Sequence, residues 1–251
     1  MIPDTPPLST SLHPAAGPVV VFDFDGTVCL GDGPVLAYAE AACARMPAAD
    51  ARSVRFRFED WMAGLSPDHH ADAYVALAAL ARPILGDELS EAYLDSRRRL
   101  VHDDLGVRPP EGLIALLDEL AEAGVRRALL TNSPAVGMDE TLVHLGVRGR
   151  FDQIVVGAKK PSRMPEHLRV LLGDEPAHHL VSIGDNWRND VAPAVELGAV
   201  GMLITGAWGD SALPPQALAV QRGHHLSELL PALRRFAADA EAFAPSRDLA
   251  R

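Results

Sequence analysis

Residues 19–30 read VVVFDFDGTVCL, and the run places Asp23 and Asp25 two positions apart directly after four apolar residues. Like charges that close repel, so the pair needs a cation near it. Further along, ALLTN (128–132) leads into Thr131, Asn132 and Ser133. QIVV (153–156) leads to Lys159-Lys160-Pro161, and HLVSIGD (179–185) ends in Gly184-Asp185 with Asn189 and Asp190 just beyond. Asp23, Asp25, Asp185 and Asp190 offer oxygen donors only, which favour a hard divalent ion, Mg²⁺ above others. A lysine beside such an ion is useful if an anion also enters, and a metal, a lysine, a threonine hydroxyl and loop amides together suit a phosphate.

These groups converge only if the apolar runs before them are neighbouring strands of one sheet. PVVVFD (18–23) has the continuous apolar character of a strand buried on both faces. From residue 106 onward, helical and strand-like stretches alternate. Leu113, Leu116, Leu117 and Leu120 fall on one helical face that ends at Gly124. Strands are expected at 128–132, 153–156, 179–185, 200–205 and near Leu218-Ala219-Val220. Helices are expected near 136–145, 165–172, 190–197 and 226–243. The alternation predicts an α/β fold, a Rossmann-like parallel sheet with helices on both faces. Ligands of such sheets bind at the carboxyl ends of the strands, where the groups above fall. Between the first strand and this region, residues 31–105 are Ala-rich and helical in period, with helices expected near 34–46, 53–63, 67–82 and 88–105. That stretch is too long for a loop and large enough for a small α-helical domain. The expected organisation is a disordered leader (1–17), a core (18–30 and 106–243), a helical insert (31–105) and a loose tail (244–251).

With DFDGT (23–27), Thr131, Lys160-Pro161 and GDNWRND (184–190) in order, each at a strand end, the chain resembles the haloacid dehalogenase-like hydrolase superfamily, in its phosphatase branch. The resemblance covers about 18–28 and 106–240, and the helical insert stands where that family carries a mobile cap. It implies a phosphoric monoester hydrolase working through an aspartyl-phosphate. Asp23 would attack phosphorus, and Asp25 would protonate the leaving oxygen and then activate water. Thr131 and Lys160 would hold the phosphoryl oxygens, with Gly26, Thr27, Asn132 and Arg163 as further substrate-binding positions. One Mg²⁺ would be held by Asp23, the carbonyl of Asp25 and Asp185, with Asp190 supporting its waters or orienting Lys160. The substrate would be a small phosphorylated metabolite, over which the cap would close.

The family often continues its lysine as Lys-Pro-x-Pro, whereas Lys160-Pro161 is followed here by Ser162-Arg163-Met164-Pro165, so Lys159 is an alternative to Lys160. The family's dehalogenases lack the second acid, and its phosphonoacetaldehyde hydrolases need a cap lysine, but Lys159 and Lys160 are the only lysines in this chain. A phosphomutase keeps both acids and stays open, as does a non-catalytic binding protein on the same core.

Composition sets outer bounds. A formal net charge of −11 and a pI of about 5.3 argue against nucleic-acid partners. The Arg97-Arg98-Arg99 run is expected as a solvated helix face. Cys29 and Cys43 are the only cysteines, so no disulfide framework is expected and a reducing interior is the natural setting. The first residues lack a basic start and an apolar run, and no stretch is long enough to span a membrane, so a cytoplasmic protein, monomer or homodimer, is expected. Arg52, Arg55, Arg57 and Trp61 form either an exposed basic helix face or a grip on part of the substrate. His-His pairs occur at 69–70, 178–179 and 224–225. Adjacent residues on a helix face different ways and no Cys or HExxH partner accompanies them, so zinc is not expected.

Overall fold

A computed structural model describes residues 7–100, 105–206 and 213–243. Its strands are β1 (Leu8–Ser9), β2 (Val19–Phe22), β3 (Arg126–Leu130), β4 (Gln153–Val155), β5 (Leu180–Gly184), β6 (Val200–Ile204) and β7 (Gln221–Gly223). They form one parallel sheet in the order β1-β4-β3-β2-β5-β6-β7. The helices are α1 (Gly33–Cys43), α2 (Ala48–Met62), α3 (Ala73–Leu85), α4 (Glu88–Arg99), α5 (Leu113–Glu122), α6 (Met138–His144), α7 (Met164–Leu172), α8 (Ala192–Glu196) and α9 (Leu226–Ala238). Among the described residues, no helix is long and apolar enough to cross a membrane.

Strand alternation divides the core into two layers. Val19 and Val21 of β2 pack with Ala128, Leu130, Val155 and Leu180 under α7 and α8. Val20 and Phe22 face the other way, on the side covered by α5 and α9. There Phe22 meets Phe151 edge to face at 5.8 Å. Every residue of β2, β5 and β6 is buried, the signature of a sheet covered on both faces. The four leucines of α5 are all fully buried.

The chain folds into two compact units. One comprises the described residues up to Leu30, with Arg108–Ala135 and Leu142 onward; the other comprises Gly31–Val107 with Val136–Thr141. The second unit is helical. It holds a ring cluster of Tyr38, Tyr74 and Tyr93, and Arg97 lies 5.3 and 5.1 Å from the Tyr74 and Tyr93 ring centroids. Arg97 is thus buried rather than part of a solvated face, because its planar guanidinium stacks on aromatic faces and donates to both tyrosine hydroxyls. Arg98 and Arg99 remain outside, paired with Asp95 and Glu40. On α2, Val54 and Phe58 are buried while Arg52, Arg55 and Arg57 are exposed. The Trp61 indole donates to the carbonyl of Asp68 at 3.1 Å.

Other expectations shift, among them the start of α2, which lies at Ala48 rather than 53. Residues 7–17 of the segment 1–17, expected as a disordered leader, supply edge strand β1. It occupies the open edge of β4, where Ser9 O accepts from Val156 N at 2.9 Å and Gln153 exchanges two bonds with the backbone of His13. β3 starts two residues early, at Arg126, because the Arg126 guanidinium is held by the carbonyls of Gly17 and Leu171. α3 begins at Ala73 rather than 67, where Asp72 caps it by accepting from Val75 N at 2.9 Å. The last strand is Gln221–Gly223, after a tight turn over Pro215–Ala219 in which Ala217 is buried and Leu218 is exposed. Residues 1–6, 101–104 and the tail 244–251 lie outside the described residues.

Candidate active site

The polar ends of β2, β3 and β5, three adjacent strands, and the loop after β4 meet in the first unit. Asp23 follows β2 and stays tied to the sheet, its N–H donating to Ile183 O at 3.0 Å. The chain then reverses sharply, with the N–H groups of Thr27, Val28 and Cys29 all donating to Phe24 O. Gly26 makes that reversal with φ +80°, a left-handed conformation that favours glycine.

Lys160 is the hub. Its Nζ donates to Asp23 Oδ1 and to Asp190 Oδ1, each at 2.6 Å, and its side chain is 2% exposed. Asn132 holds the lysine's backbone from both sides, accepting from Lys160 N at 2.7 Å and donating to Lys160 O at 2.9 Å. The same loop is braced by Ala158, whose N–H donates to Thr131 O and whose carbonyl meets His167 Nε2 at 2.9 Å. Lys159 adopts φ 56° and is exposed, so the alternative lysine lies outside the cluster.

Asp190 is placed by a wide helical turn over Trp187–Val191. Asn186 caps that turn through its side-chain oxygen, and its own N–H donates to Asp190 Oδ2 at 3.2 Å. Ser182, inside β5, donates to the carbonyl of Asp190 at 2.7 Å. Asp25 lies two residues beyond Asp23, and Ser133 Oγ donates to its Oδ2 at 2.8 Å. Ser133 N in turn donates to Thr131 Oγ1 at 2.9 Å, so the end of β3 orients the second acid.

Asp23, Asp185 and Asp190 bring one carboxylate oxygen each within 4.8 Å of one another. Burial, then the charge of Asp190, pushes the Asp23 carboxyl from 3.8 up to about 7 against the pull of Lys160. Burial also raises Asp190. At Lys160 burial disfavours the ammonium, but Asp190 and Asp23 together outweigh it and hold the lysine charged. Three acids close to one another, two of them on the Lys160 ammonium and all offering oxygen donors, fit a hard divalent cation such as Mg²⁺.

A second close approach supports that fit. A Cβ on Gly26 would lie 2.1 Å from Asp185 Oδ2, so this carboxylate rests directly over the Gly26 backbone. Gly26→Ala is therefore expected to displace Asp185 as well as strain the turn. The expected result is weaker Mg²⁺ binding by calorimetry, by about tenfold or more, with the fold retained by circular dichroism.

Two positions expected to touch substrate are placed elsewhere. Thr27 is fully buried, and its hydroxyl has no hydrogen-bond partner among the described residues, because the reversal at Phe24 turns it inward. Arg163 pairs with Glu166, one turn on, through two contacts of 2.8 and 2.9 Å on an exposed surface. Ser133, named among the polar groups after the 128–132 strand, and Asn186, inside GDNWRND, act as positioning residues, a role that motif spacing did not assign to them.

The haloacid dehalogenase-like hydrolase family model matches residues 18–198 of this chain. A phosphoglycolate phosphatase of Neisseria meningitidis is 30% identical over 213 residues, spanning 78% of this chain and 84% of that protein. Two solved structures share the fold. One is a predicted phosphoglycolate phosphatase from Haemophilus somnus, with TM-score 0.61, 16% identity and coverage of 86% of this chain and 97% of that one. The other is CbbY from Rhodobacter sphaeroides in complex with phosphate, with TM-score 0.60, 17% identity and coverage of 85% and 96%. The chain belongs to the haloacid dehalogenase-like hydrolase family, as an enzyme of the phosphoric monoester hydrolase class.

Proposed function

We propose that the protein is a Mg²⁺-dependent phosphatase that hydrolyses a small phosphorylated metabolite through an aspartyl-phosphate on Asp23. The observation that carries this is the double engagement of Lys160 with Asp23 and Asp190 at 2.6 Å, beside a second acid, Asp25, aimed by Ser133. An isolated acid cluster would serve for ion binding alone. An acid pair two residues apart, one beside a buried ammonium and one oriented by a hydroxyl, serves for attack and proton transfer.

In the first step a carboxylate oxygen of Asp23 bonds to phosphorus as the bond to the ester oxygen breaks, and Asp25 gives that oxygen a proton. In the second, Asp25 takes a proton from a water whose oxygen attacks the phosphoryl group, and the bond to Asp23 breaks to release phosphate. Lys160 and the Thr131 end of β3 stabilise charge on the phosphoryl oxygens. Asp23 and Asp185 would hold Mg²⁺ together with the Asp25 carbonyl, and Asp190 would steady Lys160. The bound ion would supply further neutralisation of phosphoryl charge. The helical unit, Gly31–Val107 with Val136–Thr141, is proposed as the cap that sets substrate choice.

The relative from Neisseria makes phosphoglycolate the first ester to try. The test is a panel of small phosphate esters, phosphoglycolate included, scored for phosphate release. Release with Mg²⁺, its loss on addition of EDTA and its return with excess Mg²⁺ are the expected results. Silence across the panel would remove the phosphatase proposal, and turnover indifferent to EDTA would remove the metal from it.

A further inference from the structure

Among the described residues, a second cluster places three metal-ligand atoms within 4.8 Å of one another: one nitrogen each from His178 and His179 and a carboxylate oxygen of Glu241. It lies at the opposite end of β5 from Asp185, roughly 20 Å away along the strand, so it is separate from the candidate active site. His178 and His179 do not sit on an α-helix. They close a tight three-residue turn, Ala177–His179, whose winding brings their rings edge to face at 4.7 Å. Glu241 arrives from beyond α9, on a turn in which Ala242 N donates to Asp239 Oδ1 at 2.9 Å. The buried ring of Phe243, packed on Phe236 at 5.6 Å, anchors that turn.

The hydrogen bonds in this cluster leave a deficit. His179 Nδ1 meets Glu175 Oε2 at 3.0 Å, while its Nε2 meets Glu241 Oε2 at 2.8 Å. With the ring proton on Nδ1, held by Glu175, an imidazole lone pair and a carboxylate oxygen face each other across Nε2 and Oε2. A positive centre must lie between them. A proton on Nε2 would satisfy His179 alone. It would leave His178 Nε2 buried with no hydrogen-bond partner among the described residues, at 3.6 Å from the same oxygen of Glu241. One metal ion satisfies all three atoms. A tetrahedral Zn²⁺ with bonds of about 2.0–2.1 Å spaces its ligands about 3.3 Å apart, between the 2.8 and 3.6 Å found here. The Glu175–His179 contact is the outer-sphere support that metal-bound histidines generally have.

We propose that His178, His179 and Glu241 form a zinc-class transition-metal site, oriented by Glu175, that clips the segment after α9 to the turn preceding β5. Two imidazoles and one carboxylate suit Zn²⁺ rather than Mg²⁺, and the fourth position is left for water.

The full chain, stripped with chelator and returned to buffer with excess Mg²⁺, is titrated with Zn²⁺ by calorimetry and with Co²⁺ by visible absorption. The expected result is one Zn²⁺ equivalent that Mg²⁺ does not displace, an intense low-symmetry Co²⁺ spectrum, and a Zn²⁺-dependent rise in Tm. His178→Ala should abolish all three. Glu241→Gln, at a side chain 76% exposed where folding is not at stake, should weaken Zn²⁺ at least about tenfold. Glu175→Gln should weaken it by about ten- to a hundredfold. No Zn²⁺ binding, a weak octahedral Co²⁺ spectrum, or equal affinity in wild type and Glu241→Gln would each overturn the proposal.

Discussion

Asp23→Asn is expected to lower turnover of an aryl phosphate by at least about a thousandfold with Mg²⁺ present, while leaving the protein as stable as before or more so. The two halves of this result come from the same geometry. An amide in place of the carboxylate cannot form an aspartyl-phosphate, so loss should appear in kcat rather than in KM alone. The stability half follows from the crowding of acids. In the metal-free protein, burial and Asp190 push Asp23 from 3.8 up to about 7, so folding disfavours its ionised form. A carboxyl raised in the folded state contributes stability that is fully present below its unfolded value and lost as pH rises through its folded value. Metal-free wild type should therefore lose a component of stability between pH about 4 and about 7, and Asp23→Asn should lack that component. Urea melts of both proteins in EDTA across that range measure it. Retained turnover would dismiss Asp23 as the nucleophile. Identical pH profiles would show that Asp190 and Lys160, not Asp23, govern the charge of the cluster.

The positions of these acids were legible because they depend on strand ends. A continuous apolar run at 19–22 and a largely apolar one at 180–184 predict buried parallel strands, and a buried parallel sheet delivers whatever follows its strands to one edge. Pairings set by local backbone were legible only in part: Pro161 after Lys160 matches the family motif and points to that lysine, but nothing in the residue types shows how the two diverge. Lys159 and Lys160 are chemically identical neighbours, and the left-handed turn at Lys159 sends one outward and the other to the acids. Long-range side-chain choices were hidden for a different reason. Ser133 meets Asp25 across 108 residues, and Glu241 meets His179 across 62, with no local periodicity marking either partner. Arg97 deceived because a charge run normally reads as solvated. Its burial depends on tyrosines at 74 and 93, and only folding of the helices places them around it.

Lys160→Met should have the opposite effect on stability from Asp23→Asn, and an equal effect on turnover. Methionine keeps the length of the side chain and removes the ammonium, so Asp23 and Asp190 each lose a 2.6 Å partner inside the core. Breaking one side of a buried ion pair costs about 3–5 kcal/mol, because the charge left behind can neither rehydrate nor find a new partner. Part of that cost should be relieved by protonation, since burial already raises both carboxyls. The variant is accordingly expected to be more stable at pH 5 than at pH 8, measured by urea melts without metal. Mg²⁺ should restore more stability to Lys160→Met than to wild type, because a divalent ion among Asp23, Asp185 and Asp190 replaces the missing positive charge. Turnover should stay lost even at saturating Mg²⁺, because the phosphoryl oxygens would lack the fixed donor. A Lys160→Met protein as stable as wild type in EDTA would mean that the ammonium is not the counter-charge of the cluster. The electrostatic account of this site would then have to rest on a group other than Lys160.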